Sequence, residues 1–121
     1  GCLMHELSIV EALIEQVGRE LHRAGQAGRV VELSLAVGRL SGVHSDSLRF
    51  AFDLLSPGSI VDGAEMTIEE PKAVCRCRDC DHTEPIDELV AQCPKCGSGN
   101  VVIEGGRELT LNSIELEPTE S

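Results

Sequence analysis

A chain of 121 residues that is 41% hydrophobic and 26% charged has the composition of one globular domain, or of two small ones if a metal stabilises one of them. Its formal net charge of −11 argues against a nucleic-acid partner, since phosphate binding requires clustered Lys and Arg, and favours a basic protein partner or a metal cation. No apolar run reaches the ~20 residues that span a bilayer, and no secretion signal is visible, so we expect a cytoplasmic protein without a membrane partner.

The first half of the chain shows two helical patterns with a strand between them. Apolar residues at helical spacing predict a helix from Leu7 to about Ala24. Alternation over Val30–Val37 predicts a strand with one buried face. A second helix is predicted over Ser47–Leu55, with Ser45 or Asp46 as its N-cap.

The second half predicts further strands around a cysteine-rich segment. Alternation over 64–70 predicts a strand, Val101–Ile103 a short one, and Leu109–Leu116 a final one broken at Asn112-Ser113. We therefore expect an α+β fold of two helices on a small mixed sheet with an inserted four-cysteine zinc-ribbon module. The expected domains are 1–73 plus 104–121 for the α+β domain and 74–103 for the zinc-binding domain.

Four cysteines carry the strongest local signal in the sequence. Cys77 and Cys80 form one Cys-x-x-Cys pair, Cys93 and Cys96 form another, and twelve residues separate the pairs. This spacing is typical of a tetrahedral Zn(II) site, and four thiolates leave no open position for catalysis, which indicates a structural metal. The apolar residues between the pairs are too few for a core, so folding there is expected to depend on the metal.

Cys75 creates an ambiguity of register, because it lies two residues before Cys77. Pairing it with Cys80 would leave four residues between the sulfurs, a poorer match to a tight turn, so we interpret Cys75 as a residue that does not bind the metal. Free thiols, an iron site of the rubredoxin type and a redox Cys-x-x-Cys pair are the alternatives for the cysteines, and the presence of two matched pairs argues against the redox pair.

Met4, His5 and Glu6 form a second cluster of metal-binding groups, just before the predicted helix. An imidazole, a carboxylate and main-chain nitrogens are donors that suit Ni(II) or Cu(II). By itself such a tripeptide is more often solvated surface. Because Gly1-Cys2-Leu3 precede it here, the nitrogen of Met4 is an amide rather than a free amine, and Cys2 offers an alternative sulfur ligand.

Motifs for catalysis are missing from the sequence. It contains no phosphate-binding loop, no nucleotide-binding glycine fingerprint, no nucleophile elbow and no His-Glu-x-x-His zinc motif. The sequence therefore predicts a protein that is not an enzyme. A zinc-ribbon adaptor or transcription-associated interaction module is the alternative function, and a zinc enzyme would require an open metal position.

Taken together, the motifs resemble the HypA/HybF family of hydrogenase maturation nickel chaperones, over essentially the whole chain from Met4. The resemblance rests on six segments: Met4-His-Glu-Leu-Ser-Ile-Val10, Val37-Gly-Arg-Leu-Ser-Gly42, Ser47-Leu-Arg-Phe-Ala-Phe52, Cys75-Arg-Cys-Arg-Asp-Cys80, Cys93-Pro-Lys-Cys96-Gly97 and Ile114-Glu-Leu116. It implies a metallochaperone that delivers Ni(II) to [NiFe]-hydrogenase, and in some organisms also to urease.

The resemblance also implies the sites and partners. Ni(II) as transient cargo would bind at Met4, His5 and Glu6, and structural Zn(II) at the four paired cysteines. The implied partners are a HypB-type GTPase and the hydrogenase large-subunit precursor. A monomer or a homodimer is expected, since some relatives exchange domains.

Overall fold

The computed structural model describes the backbone of residues 2–117 and the side chains of residues 5–117. Two helices and six strands follow one another as α1 (Cys2–Ala24), β1 (Val30–Val37), α2 (Ser45–Leu55), β2 (Glu65–Glu69), β3 (Ala73–Cys77), β4 (Thr83–Ile86), β5 (Val101–Glu104) and β6 (Leu109–Leu116). The strands form two three-stranded sheets, ordered β2-β1-β6 and β4-β3-β5. The predicted α+β fold, with two helices and a cysteine-bearing module between strands, is confirmed. Over the described part of the chain, no helix combines the length and apolar character that crossing a membrane requires.

The two helices pack against each other through apolar faces. On α1 the buried residues include Val10, Leu13 and Val17, at helical spacing. Helix α1 begins at Cys2, five residues before the predicted start. In the sequence Leu3 lies four positions before Leu7, so the helical spacing of apolar residues continues ahead of Leu7. Helix α2 also begins earlier than predicted. Its N-cap is His44, without a side-chain cap hydrogen bond, so the expected cap at Ser45 or Asp46 was wrong.

Strand β1 occupies the centre of the first sheet, between β2 and β6. Leu33, Leu35 and Val37 are buried as the alternation predicts, but Val30 and Ala36 on the other face are buried too. Burial on that other face is confined to the two ends of the strand, since Glu32 and Ser34 between them are partly exposed. Strand β6 continues through the Asn112-Ser113 step, where the sequence predicted a break.

The second sheet is antiparallel, and its central strand β3 carries the first metal-site cysteine at its end. Cys75 of β3 lies opposite Glu84 of β4 and Ile103 of β5. Contrary to the sequence expectation, this part of the chain does have a small core. It consists of the buried residues Ala73, Cys75 and Ile86 with Leu40, Val90, Val101 and Ile103 packed against them. Most of these residues lie outside the interval between the cysteine pairs, which is why counting within that interval missed them.

The chain is divided into two compact units. One holds the described residues up to Leu35, Val43–Ile68, and those from Leu111 onward; the other holds Ala36–Gly42 and Glu69–Thr110. The segment Ala36–Gly42 joins the second unit through its backbone, since the Gly38 N–H donates to the Glu108 carbonyl at 2.7 Å. The boundaries expected from the sequence, at 73/74 and 103/104, remain a prediction about which parts fold separately.

Candidate metal centre

Two turns of the same shape hold the four cysteines. In each turn the N–H of the second cysteine points at the first sulfur, from Cys80 to Cys77 and from Cys96 to Cys93, both at 3.4 Å. In each turn the fourth residue after the first cysteine has a positive φ, 61° at Asp81 and 79° at Gly97. The sequence places a glycine at this position only in the second turn. Asx residues tolerate the left-handed conformation better than most, which explains how Asp81 takes the equivalent place in the first.

The four sulfurs converge on one point. The Sγ atoms of Cys77, Cys80, Cys93 and Cys96 all lie within 4.8 Å of one another. Across the two turns, the Cys77 and Cys96 sulfurs are 3.6 Å apart, and those of Cys80 and Cys93 are 3.7 Å apart. Four sulfurs at ~2.3 Å from a tetrahedral Zn(II) are separated by about 3.8 Å, so the arrangement fits that ion. The fit is to a closed four-thiolate site, with no place for a substrate.

Proton affinity differs strongly among the four thiols. The backbone N–H of Cys96, helped by that of Lys95, donates to the Cys93 sulfur and lowers the pKa of Cys93 to about 6. The N–H of His82 favours the Cys80 thiolate, but desolvation and three neighbouring thiols outweigh it and raise the pKa of Cys80 to about 12. Four thiolates so close together require a cation to balance them, and metal binding must therefore release protons.

Cys75 lies outside the sulfur cluster. Its side chain is 1% exposed and belongs to the small core of the second unit. Desolvation raises the pKa of Cys75, and the nearby Cys93 and Cys77 sulfurs raise it further. A buried thiol of this kind behaves as a small apolar residue. Its placement agrees with the interpretation of Cys75 as a residue that does not bind the metal.

The residues expected to bind nickel lie in the first turns of α1. His5 is exposed, whereas the side chain of Glu6 is 1% exposed, and among the described residues its Oε1 has no hydrogen-bond partner. The side chains of Met4 and Cys2 lie outside the described part of the chain. Consecutive helical residues point about 100° apart, so this helix does not bring the His5 ring and the Glu6 carboxylate together. Between residues 5 and 117, the four cysteines are the only group of three or more potential ligands that converge.

The two helices, the two small sheets and the four clustered cysteines of the second unit together define a small α+β metal-binding protein. A model of the family described as "Hydrogenase/urease nickel incorporation, metallochaperone, hypA" matches residues 4–116. The chain therefore belongs to the HypA family of hydrogenase maturation nickel metallochaperones, a family of maturation factors rather than of catalysts. The resemblance that the motifs showed is thereby confirmed.

Two curated relatives and a solved structure agree with this assignment. The hydrogenase maturation factor HypA of Chlorobaculum parvum is 42% identical and aligns over 94% of this chain and 100% of its own length. That of Methanocaldococcus jannaschii is 32% identical over 94% of this chain and 98% of its own. Among solved structures, the Ni metallochaperone HypA from Helicobacter pylori superposes with a TM-score of 0.63 at 29% identity, covering 92% of this chain and 96% of that one.

Proposed function

We propose that this protein binds Ni(II) and delivers it during [NiFe]-hydrogenase maturation, without catalysing a reaction itself. The observation that carries the proposal is the buried Oε1 of Glu6, which has no hydrogen-bond partner among the described residues and follows the exposed His5 in the chain. A buried carboxylate oxygen without a partner is costly to the fold, and such costs are typical of functional sites. A divalent cation would satisfy it.

The position of these residues in α1 supplies further ligands. The N–H groups in the first turn of a helix have no carbonyl one turn earlier to bond, so the amide nitrogen of Met4 is not committed to the helix. Backbone nitrogens and an imidazole form the donor set that Ni(II) prefers in square-planar sites. Since the Glu6 carboxylate is buried and the His5 ring exposed, full coordination requires the first turn of α1 to rearrange. A site that must rearrange to bind can also release its cargo, as a chaperone requires.

Structural Zn(II) is proposed for the sulfur cluster of Cys77, Cys80, Cys93 and Cys96. The spacing of the sulfurs and the closed geometry support zinc rather than nickel there. Zinc bound in this way would hold the second unit in shape, while nickel at the other site remains exchangeable.

The proposed partners are proteins. A HypB-type GTPase and the hydrogenase large-subunit precursor are the expected ones, and the family description adds urease as a second client. The net charge of −11 supports a basic protein surface as partner and speaks against nucleic acid. We propose a cytoplasmic protein, working as a monomer or a homodimer.

Nickel titration by calorimetry tests this function on zinc-loaded protein. We expect one Ni(II) per chain, and His5→Ala should weaken binding at least tenfold, because it removes the strongest neutral donor. His22→Ala is the matched control, since His22 is an exposed histidine on the same helix, and it should leave the affinity unchanged. Equal nickel affinity in the His5 variant and the unchanged protein would contradict the proposed site.

A further inference from the structure

A network of three polar side chains joins the two cysteine turns. Asp79 lies inside the first turn, and its Oδ2 accepts a hydrogen bond from the hydroxyl of Ser98, just past the second turn. Its Oδ1 accepts from the side-chain amide of Asn100 at 3.2 Å. The ring closes because the N–H of Asn100 donates to the Ser98 hydroxyl at 3.0 Å. We call these three residues the Asp79 bridge.

Backbone hydrogen bonds extend the Asp79 bridge to Cys93 and to Arg78, the residue after Cys77. The N–H of Arg78 donates to the Asn100 carbonyl at 2.9 Å, on the side of the first turn. The N–H of Cys93 donates to the Ser98 carbonyl at 2.8 Å, on the side of the second. The two halves of the sulfur cluster are therefore connected by a path that does not pass through a metal ion.

A carboxylate suits the position of Asp79 between the two cysteine turns, because it offers two acceptor oxygens. Both of its oxygens accept hydrogen bonds, one from the Ser98 hydroxyl and one from the Asn100 side-chain amide. Hydrogen bonds to a charged acceptor are stronger than those between neutral groups. Isolated contacts between exposed side chains contribute little, but a closed ring that also fixes two backbone segments restrains more than its members would separately.

From this arrangement we propose that Asp79 is a positioning residue for the metal centre, which keeps the second cysteine turn against the first while metal enters or leaves. The proposal rests on the zinc site proposed above. Release of a four-thiolate ion proceeds by loss of one thiolate at a time. If the halves separate after the first thiolates detach, the ion escapes. If the bridge holds them together, the detached thiolates stay at high effective concentration and rebind.

A reciprocal exchange of side chains tests the bridge. Asn100→Asp places a second carboxylate opposite Oδ1 of Asp79, so two acceptors face each other without a donor. Adding Asp79→Asn restores one donor and one acceptor, with their positions exchanged, while the side-chain oxygen that remains at position 79 can still accept from Ser98. Zinc transfer from the full chain to a chromophoric chelator in excess measures the release rate.

We expect Asn100→Asp to release zinc about tenfold faster, the effect of losing one hydrogen bond to a charged group. The double variant should return to within about threefold of the unchanged protein. Glu104→Gln is the control. Glu104 is an exposed carboxylate on β5 that pairs with Arg76 on β3, outside the Asp79 bridge, so this substitution should leave the release rate unchanged. The Co(II)-loaded variants should keep the absorption of a tetrahedral four-thiolate site, which shows that the ligands themselves are intact.

Unchanged release in Asn100→Asp, or a double variant as fast as the single one, would overturn the proposal. If Asn100→Asp does not fold, Ser98→Ala removes one donor without adding charge, and it must then release zinc faster for the proposal to stand. Failure of the unchanged protein to retain zinc would refute the zinc site itself, which is a different result from rapid release in the variants alone.

Discussion

Replacing Glu6 by Met should stabilise the protein and weaken nickel binding at the same time. The Glu6 side chain is 1% exposed, and its Oε1 has no partner among the described residues. Leaving a buried polar group without a hydrogen bond costs about 1–3 kcal/mol. Met has a similar length, is a good helix former and needs no partner, so Glu6→Met should raise the free energy of unfolding by about 1–2 kcal/mol.

Urea unfolding followed by the helical circular dichroism signal measures this gain. With an m-value of about 1.5 kcal/mol per molar urea, the midpoint should rise by roughly 0.7–1.3 M. Glu11→Met is the matched control, since Glu11 is exposed on the same helix, and its effect should stay within about 0.5 kcal/mol. Nickel affinity should fall in Glu6→Met alone, because a thioether is a poor substitute for a carboxylate toward Ni(II). A lower urea midpoint in Glu6→Met would refute the reasoning, since it would mean that the carboxylate is well satisfied in solution.

Three further predictions concern the two units. Cys96→Ser should lose zinc and the amide NMR dispersion of residues 74–100 while the helical signal persists; loss of all ordered structure would show that the units do not fold separately. Gly38→Ala should destabilise the second unit by about 1–3 kcal/mol, since its new methyl would overlap the Gly106 carbonyl oxygen and lie 2.6 Å from Glu108 Oε1. Thermal unfolding measures that loss, and an unchanged melting temperature would mean that the backbones are not so close. Leu33→Ala should cost about 2–5 kcal/mol in urea unfolding, because Leu33 is fully buried in the central strand; a cost below about 1 kcal/mol would contradict that burial.

The spacing of apolar residues predicted the bounds of an element well where apolar residues occupy most of one face of it. Strand β1 has the predicted bounds, Val30–Val37, because β-branched and leucine residues fill it. Strand β4 was not predicted, since Thr83–Ile86 is short and contains Pro85. Pro85 is tolerated because β4 is an edge strand of its sheet. Such a strand depends on pairing with β3, and pairing is not visible in local sequence.

The spacing of the cysteines identified all four residues of the sulfur cluster, because two-residue separations fix the shape of each turn. The Asp79 bridge could not be found in this way. Asp79, Ser98 and Asn100 are ordinary loop residues in the sequence, and only the fold brings them together. The burial of Glu6 was also invisible, since it depends on how α1 packs and not on its composition.

X-ray absorption at two edges, on protein loaded with one Zn(II) and one Ni(II), tests the central claim most directly. The zinc edge should show four sulfurs at about 2.3 Å, as the sulfur spacings of 3.6 and 3.7 Å require. The nickel edge should show only nitrogen and oxygen ligands, with the imidazole scattering of His5 absent in His5→Ala. Sulfur ligands at the nickel edge together with nitrogen or oxygen at the zinc edge would contradict the account, because nickel would then occupy the cysteine site.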